Sequence, residues 1–386
     1  MSLAGARWSL LAGNFAIGCG VMVTAGTLND LARGLQVSVA AAGQLIAVAA
    51  VVMALGAPLL AALVAGIDRR RLLTFALLWW AAGHALSALM PDYWPLLAVR
   101  AVTVLAAAVF TPQAAAAVGV MAPPEQRGRA VTFVFLGWSV SSVLGMPLHA
   151  WIGEAFGWRW AFALVGVLSA AAALGVWRTL PDGVRPAPLS RAAWLQVFTH
   201  PALMAVVAVS VFSAAGQFTL FSYFAPYYRQ VLGATPAQIS GMFLWFGALG
   251  VLGNVYIARH IDRLGAARAV ALMLGCMALS LVLWPLGGSL PAMMAVLAPW
   301  ALGCFASNSA QQARLVEAAP LLAPALIALN SSAMYAGQAL GAASGGALMA
   351  ARGYAPLHWV GLAWMLGAIA LSVWAARRMA RDPGHV

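Results

Sequence analysis

The sequence predicts an all-α membrane protein with twelve transmembrane helices in two pseudo-symmetric six-helix bundles. Three observations carry this. The chain of 386 residues is 63% hydrophobic and only 8% charged, where a soluble domain carries about 25% charged residues. Its apolar runs are about twenty residues long and do not alternate, which suits helices crossing a bilayer rather than barrel strands. The two halves also repeat one another in their charged loops and small-residue ladders.

The first bundle is expected within residues 1–178, with helices at 8–28, 39–66, 72–90, 93–119, 131–152 and 158–176. The first run is too long for a cleavable signal and lacks a clear cleavage site, so it reads as a span. A stretch rich in proline and polar residues, 179–200, reads as a cytosolic linker. The second bundle, 201–386, is expected to hold helices at 201–226, 239–258, 267–286, 291–311, 324–350 and 357–376.

All 21 basic residues are arginine, and they fall in the gaps between apolar runs. Only Arg33, Arg159, Arg229 and Arg352 fall on one side of the predicted membrane. The rest, apart from Arg100, fall on the other. Basic loops stay in the cytosol during insertion, so both termini are expected there. The net charge of +12 does not indicate nucleic acid, because no basic patch interleaves with aromatics on a soluble fold. Cys19, Cys276 and Cys304 are far apart in apolar runs and read as packing residues. No metal or cofactor is implied.

The halves repeat in detail. "AGIDRRRLL" joins helices 2 and 3, and "GNVYIARHIDRLGAARAV" joins helices 8 and 9. Helix 5 carries Gly137, Gly145, Pro147 and Gly153; helix 11 carries Gly337, Gly341, Gly345 and Gly346. Repeated halves of this kind mark many secondary transporters.

At these residues the chain resembles the major facilitator superfamily over nearly its whole length. Asp68 and Arg69 match the family's Gly-x-x-x-Asp-Arg-x-Gly-Arg-Arg motif, although Gly66 is out of place and Arg71 stands where the motif has glycine. Asp262, Arg263 and Gly265 repeat it. Arg100 in "LLAVRAV" matches the family's helix 4 arginine. "GWSVSSVLGMP" is similar to the drug–proton antiporter motif through Gly137, Gly145 and Pro147. "FGWRWAF" and "GAPLLAAL" resemble the bacterial drug:proton antiporter and arabinose-efflux-like branch. The resemblance implies a monomeric, multi-pass transporter of the inner membrane that works by alternating access. It implies export of a small organic molecule, such as a sugar, nucleoside or drug, in exchange for protons. An importer or uncoupled facilitator is the alternative.

The resemblance further implies that Asp68, Arg69 and Arg71, with Asp262 and Arg263, latch the cytosolic side. The plainer reading is that Asp68 caps helix 3, where the helix dipole favours negative charge, while the arginines set topology. Arg100 costs about 2.5–3.5 kcal/mol in a helix centre. It either faces a central cavity or snorkels outward.

Proton exchange needs a titrating group, yet every carboxylate lies near a helix end or in a loop, and Val21 stands where this branch often carries a helix 1 acid. The substitutes are Asp30, at the end of helix 1, and the histidines His84 and His149, besides Arg100. Family architecture places helices 1, 4, 7 and 10 around the cavity. Asn14, Gln113, Gln217, Tyr223 and Asn308 are therefore expected to bind substrate with Arg100, or else to bond between helices. The glycine stripes Gly337, Gly341 and Gly345, and Gly137, Gly145 and Pro147, are expected to form close-packed or sliding interfaces. A membrane-embedded enzyme would need nucleophile, base or metal ligands at helical spacing, and no such set is evident.

Overall fold

The computed structural model describes residues 3–64, 66–123, 127–185, 191–319 and 322–381, and the regular structure among them is entirely helical. The chain divides into two compact units, Met1–Pro188 and Leu189–Val386.

The first unit contains α1 (Leu3–Gly26), α2 (Leu28–Gly34), α3 (Val39–Leu63), α4 (Arg69–Leu89), α5 (Tyr93–Thr103), α6 (Leu105–Met121), α7 (Arg127–Val140), a π-helical turn (Ser141–Gly145), α8 (Met146–Phe156) and α9 (Trp158–Thr179). The second contains α10 (Arg191–Thr199), α11 (Pro201–Phe221), α12 (Phe224–Gln230), α13 (Pro236–Leu264), α14 (Ala266–Leu283), a 3-10 turn (Trp284–Leu286), α15 (Leu290–Ala318), α16 (Ala323–Arg352) and α17 (Leu357–Arg381).

Local chemistry sets these boundaries. Ser38 caps α3 by accepting the Ala41 N–H over 3.1 Å. Thr235 and Gln238 form a reciprocal capping box on α13, with Pro236 in its first turn. Gly157 and Gly265 lie at φ +93° and +76° between consecutive helices, a backbone region that favours glycine. The π turn has a similar local cause. Pro147 lacks an N–H, so the carbonyl one turn earlier loses its helical donor, and the ladder widens just before it.

Eleven segments among the described residues are long and apolar enough to cross a membrane. α16 is outside that set, although it spans 30 residues. Asn330, Ser331, Ser332, Gln338 and its glycines dilute its apolar character. Large apolar side chains such as Leu55, Leu59, Phe75, Trp94 and Trp160 point outward, as expected where lipid is the solvent.

Each unit uses the same internal packing. In the first, α1 packs on α7, the π turn and α8, and also on α9; α4 packs on α9 and α6; α3 packs on α6. In the second, α11 packs on α16 and α17; α14 packs on α17 and α15; α13 packs on α15.

Glycines permit the tightest of these contacts. A Cβ on Gly137 would stand 2.3 Å from the Leu11 carbonyl oxygen. One on Gly341 would stand 2.4 Å from that of Ala215. Between lipid-solvated helices, this close van der Waals approach is a main source of association.

Candidate functional site

The polar interior of the first unit is built along α1. Arg100, on the last turn of α5, is 2% exposed. Its Nη2 donates to the carbonyls of Gly20 at 3.2 Å and Val21 at 3.4 Å. Its Cζ lies 5.8 Å from the centre of the Phe162 ring. Of the two sequence alternatives, the arginine is turned inward onto α1.

His84, fully buried on α4, meets the same Gly20 carbonyl through Nε2 at 3.4 Å and the Trp80 carbonyl through Nδ1 at 2.9 Å. A neutral imidazole has one N–H for two carbonyls; a protonated ring would satisfy both. Gly20 makes the approach possible, because a Cβ there would stand 2.6 Å from Trp80 and 2.7 Å from His84. His149, fully buried on α8, faces the Cys19 backbone, yet neither ring nitrogen has a hydrogen bond of good geometry.

Asn14 is committed within the bundle. Its Nδ2 donates to the Val134 carbonyl at 3.1 Å, and its Oδ1 accepts from Thr111 at 2.9 Å. The Thr111 hydroxyl accepts from Trp138 Nε1 at 3.2 Å. This relay ties α1, α6 and α7 together, so Asn14 makes the interhelical bonds that were the alternative to substrate binding. Gln113, one position after Pro112, is buried and makes no hydrogen bond among those described.

Asp30 lies at the far end of α1, on the short helix α2. Arg33 bonds to Asp30 Oδ1 and, over 2.8 Å, to Glu154 Oε2 on α8. Burial pushes the Asp30 carboxyl above its ordinary pKa; Arg33 works against this and Glu154 with it. Sequence reasoning named Asp30 but missed Glu154. The two are far apart in sequence and meet only because α8 packs on α1.

The Asp68 knot is a cap and a clasp inside the first unit. Its Oδ1 accepts the N–H groups of Arg70 at 3.0 Å and Arg71 at 3.3 Å. Its Oδ2 accepts the Gly183 N–H at 2.6 Å. Arg69 donates its own N–H to the Val184 carbonyl at 3.0 Å, and its buried guanidinium bonds to the carbonyls of Val64 and Ile67. Arg70 pairs with Asp182 at 2.8 Å and lies over Trp177. The start of α4 is thereby tied to the chain after α9. "PDGV" was the overlooked signal. In the second knot Arg263 is exposed; the side chain of Asp262 lies outside the described residues.

In the second unit, Tyr223 sits in the break between α11 and α12 and donates to the Ala342 carbonyl at 2.7 Å. It is an interhelical tie, on the edge of an aromatic crevice with Phe224, Tyr227, Trp284 and Tyr354. Gln217 and Asn308 are half-buried and make no hydrogen bond among those described. Arg314, expected to mark the cytosolic loop, is instead buried, and it donates to the Ser372 hydroxyl at 2.8 Å and carbonyl at 3.0 Å. The stripe Gly337, Gly341 and Gly345 lies directly on the α11 backbone at Val211, Ala215 and Thr219.

Repeated helical units of membrane-spanning length, with charged groups held along their inner seams, define a multi-pass membrane transporter. The chain belongs to the Major Facilitator Superfamily, which it matches over residues 10–323. The family and the named relatives are transporters, not enzymes. The chain is 29% identical to Inner membrane transport protein YdhP of Escherichia coli (strain K12), covering 89% of this chain and 88% of that one. It is 29% identical to a Probable sugar efflux transporter of Mannheimia succiniciproducens, covering 90% and 87%. The solved D-xylose-proton symporter has the same fold, with a TM-score of 0.77 at 16% identity over 96% of this chain and 97% of that one.

Proposed function

We propose that the protein exports a small organic molecule, such as a sugar, nucleoside or drug-like compound, across the inner membrane in exchange for protons, by alternating access. The carrying observation is the helix 5 seam. There the antiporter-like "GWSVSSVLGMP" forms a π turn ahead of Pro147, while Gly137 and Gly145 rest on α1. π turns inside α-helices are frequent at functional sites, and one placed on a glycine-packed seam can bend and slide. The names of the sugar efflux relative and of YdhP support export and the inner membrane.

On this reading the chain spans twelve times as a monomer, with α16 as the eleventh span and both termini in the cytosol. Arg100, Gln113, Gln217 and Asn308 are the substrate-binding residues, the three amides having hydrogen-bonding groups unspent among the described residues. Asn14 and Tyr223 hold the helices that present them. His84, His149, Asp30 and Arg100 are the candidates for proton coupling. Asp68, Arg69 and Arg71, with Asp262 and Arg263, gate the cytosolic end. The second reading, an importer or uncoupled facilitator, is favoured by one fact: no carboxylate lies deep in a predicted span.

Counterflow in reconstituted vesicles tests transport itself. Vesicles preloaded with L-arabinose, uridine or ethidium should accumulate the labelled form of at least one of them. Failure with all three would remove this substrate range.

A further inference from the structure

The two Asp-Arg knots spend their arginines differently. In the first, Arg69 is buried on the carbonyls of Val64 and Ile67, and Arg70 pairs with Asp182. In the second, around the turn between α13 and α14, Arg259, Arg263 and Arg268 are exposed. No ion pair or hydrogen bond holds their guanidinium groups among the described residues. From Val251 to Leu286 the sequence has one acid, Asp262, whose side chain lies outside the described residues. Three arginines against one carboxylate leave this turn positive.

The arginines end two apolar stripes. Leu244, Ala248, Leu252 and Val255 are exposed along α13 at spacings of three or four residues, and Arg259 and Arg263 continue the same face. On α14, Leu272 and Leu279 are exposed, with Arg268 about one turn before Leu272. No charged or amide side chain interrupts either stripe. An exposed apolar surface of this length suits lipid chains and not water.

Between the stripe and its arginines lies Tyr256, half exposed, a residue type that gathers at the membrane–water interface. His260 stacks on it with ring centres 4.4 Å apart and bonds through Nδ1 to the Tyr256 carbonyl at 2.8 Å. α14 starts at Gly265 with no side-chain cap. The positive end of its dipole therefore adds to the charge of the turn.

We propose that the α13–α14 turn docks the phosphate headgroup of an anionic phospholipid, whose acyl chains lie along the two stripes. Arginine suits this task, because its planar fork matches phosphate with paired hydrogen bonds. A free phosphate ion would use the arginines but not the apolar face beside them; a phospholipid uses both. The bound lipid anchors this turn to the bilayer surface, where the first knot is anchored to its own chain. The site stands whichever solute the protein carries.

Native mass spectrometry of the full-length protein in detergent counts bound lipid. With dioleoylphosphatidylglycerol and dioleoylphosphatidylcholine at equal concentration, the wild type should retain phosphatidylglycerol in preference. Arg259→Gln, Arg263→Gln and Arg268→Gln should each weaken its binding about fivefold, the worth of one basic residue at an anionic surface. The triple variant should lose the preference. A second triple variant, Arg178→Gln, Arg185→Gln and Arg377→Gln, removes the same charge from exposed arginines elsewhere and should keep it.

Equal losses in the two triple variants would show diffuse attraction and overturn the site. A wild type without preference would do the same. Displacement of the lipid by excess inorganic phosphate would reduce the turn to an ion site and overturn the lipid assignment. Size-exclusion profiles identify a triple variant that fails to fold. The single variants Arg259→Gln and Arg268→Gln, both outside the proposed gate, then decide, and unchanged lipid binding in both would overturn the site.

Discussion

Arg100 donates to the main-chain carbonyl of Gly20 across 3.2 Å, so a buried cation is held by helix backbone, and no acid pairs with it among the described residues. Helix carbonyls accept such a bond because their second lone pair is free. Replacing Arg100 by alanine removes an insertion cost of about 2.5–3.5 kcal/mol. It also removes charge-assisted bonds of about 1.5–3 kcal/mol. These nearly cancel, so the thermal midpoint of the purified protein should move little. Counterflow should fall about tenfold or more. A large loss of stability with transport intact would make Arg100 a packing residue.

Asp68 caps α4 and holds Gly183 with separate oxygens. Asp68→Ala should lose a cap of about 1 kcal/mol and leave the Gly183 N–H without its partner. Asp68→Asn keeps one acceptor oxygen and should fall between. Thermal unfolding orders the three proteins, and hydrogen exchange should quicken at Gly183 and Arg70 in the alanine variant.

The glycines of the second unit offer a paired test. A Cβ on Gly341 would stand 2.4 Å from the Ala215 oxygen and 2.9 Å from the Thr219 nitrogen, whereas one on Gly275 meets nothing within 4 Å. Backbone atoms cannot swing aside as a side-chain tip can. Gly341→Ala should cost about 1–3 kcal/mol through overpacking. Gly275→Ala should be neutral or gain up to about 1 kcal/mol from helix propensity. The thermal midpoints should move in opposite directions, or the first alone should drop.

Burial raises the Asp30 pKa, against Arg33, which lowers it. The folded state therefore holds this proton more tightly than the unfolded chain does. Stability from this group is full below the ordinary carboxylate pKa of 3.8 and is lost as pH rises through the raised value. Asp30→Asn should flatten that fall, seen as a smaller change in thermal midpoint between about pH 4 and about pH 8. An identical slope in both proteins would contradict the assignment.

Much of this was legible in the sequence, because lipid imposes simple rules. Run length and charge scarcity implied membrane-spanning helices, and the stripe at Gly337, Gly341 and Gly345 marked a close helix contact. Arg100 stood out because an arginine inside an apolar run is costly. Contacts set by tertiary packing were not legible. Nothing local in "NFAIGCG" identifies Gly20 as the acceptor for both Arg100 and His84. The joint at Tyr223 carries no proline or glycine of its own. Asp182 and Gly183 read as a plain turn until the fold set them against Asp68 and Arg70. Arg314 looked like a loop charge because its partner, Ser372, lies on another helix.

Proton exchange is tested most directly by a pH-sensitive dye trapped in reconstituted vesicles that carry an imposed pH gradient. Adding whichever probe shows counterflow should collapse that gradient in proportion to its concentration, and should not do so in vesicles without the protein. Brisk counterflow with an undisturbed gradient would contradict exchange and leave an uncoupled facilitator.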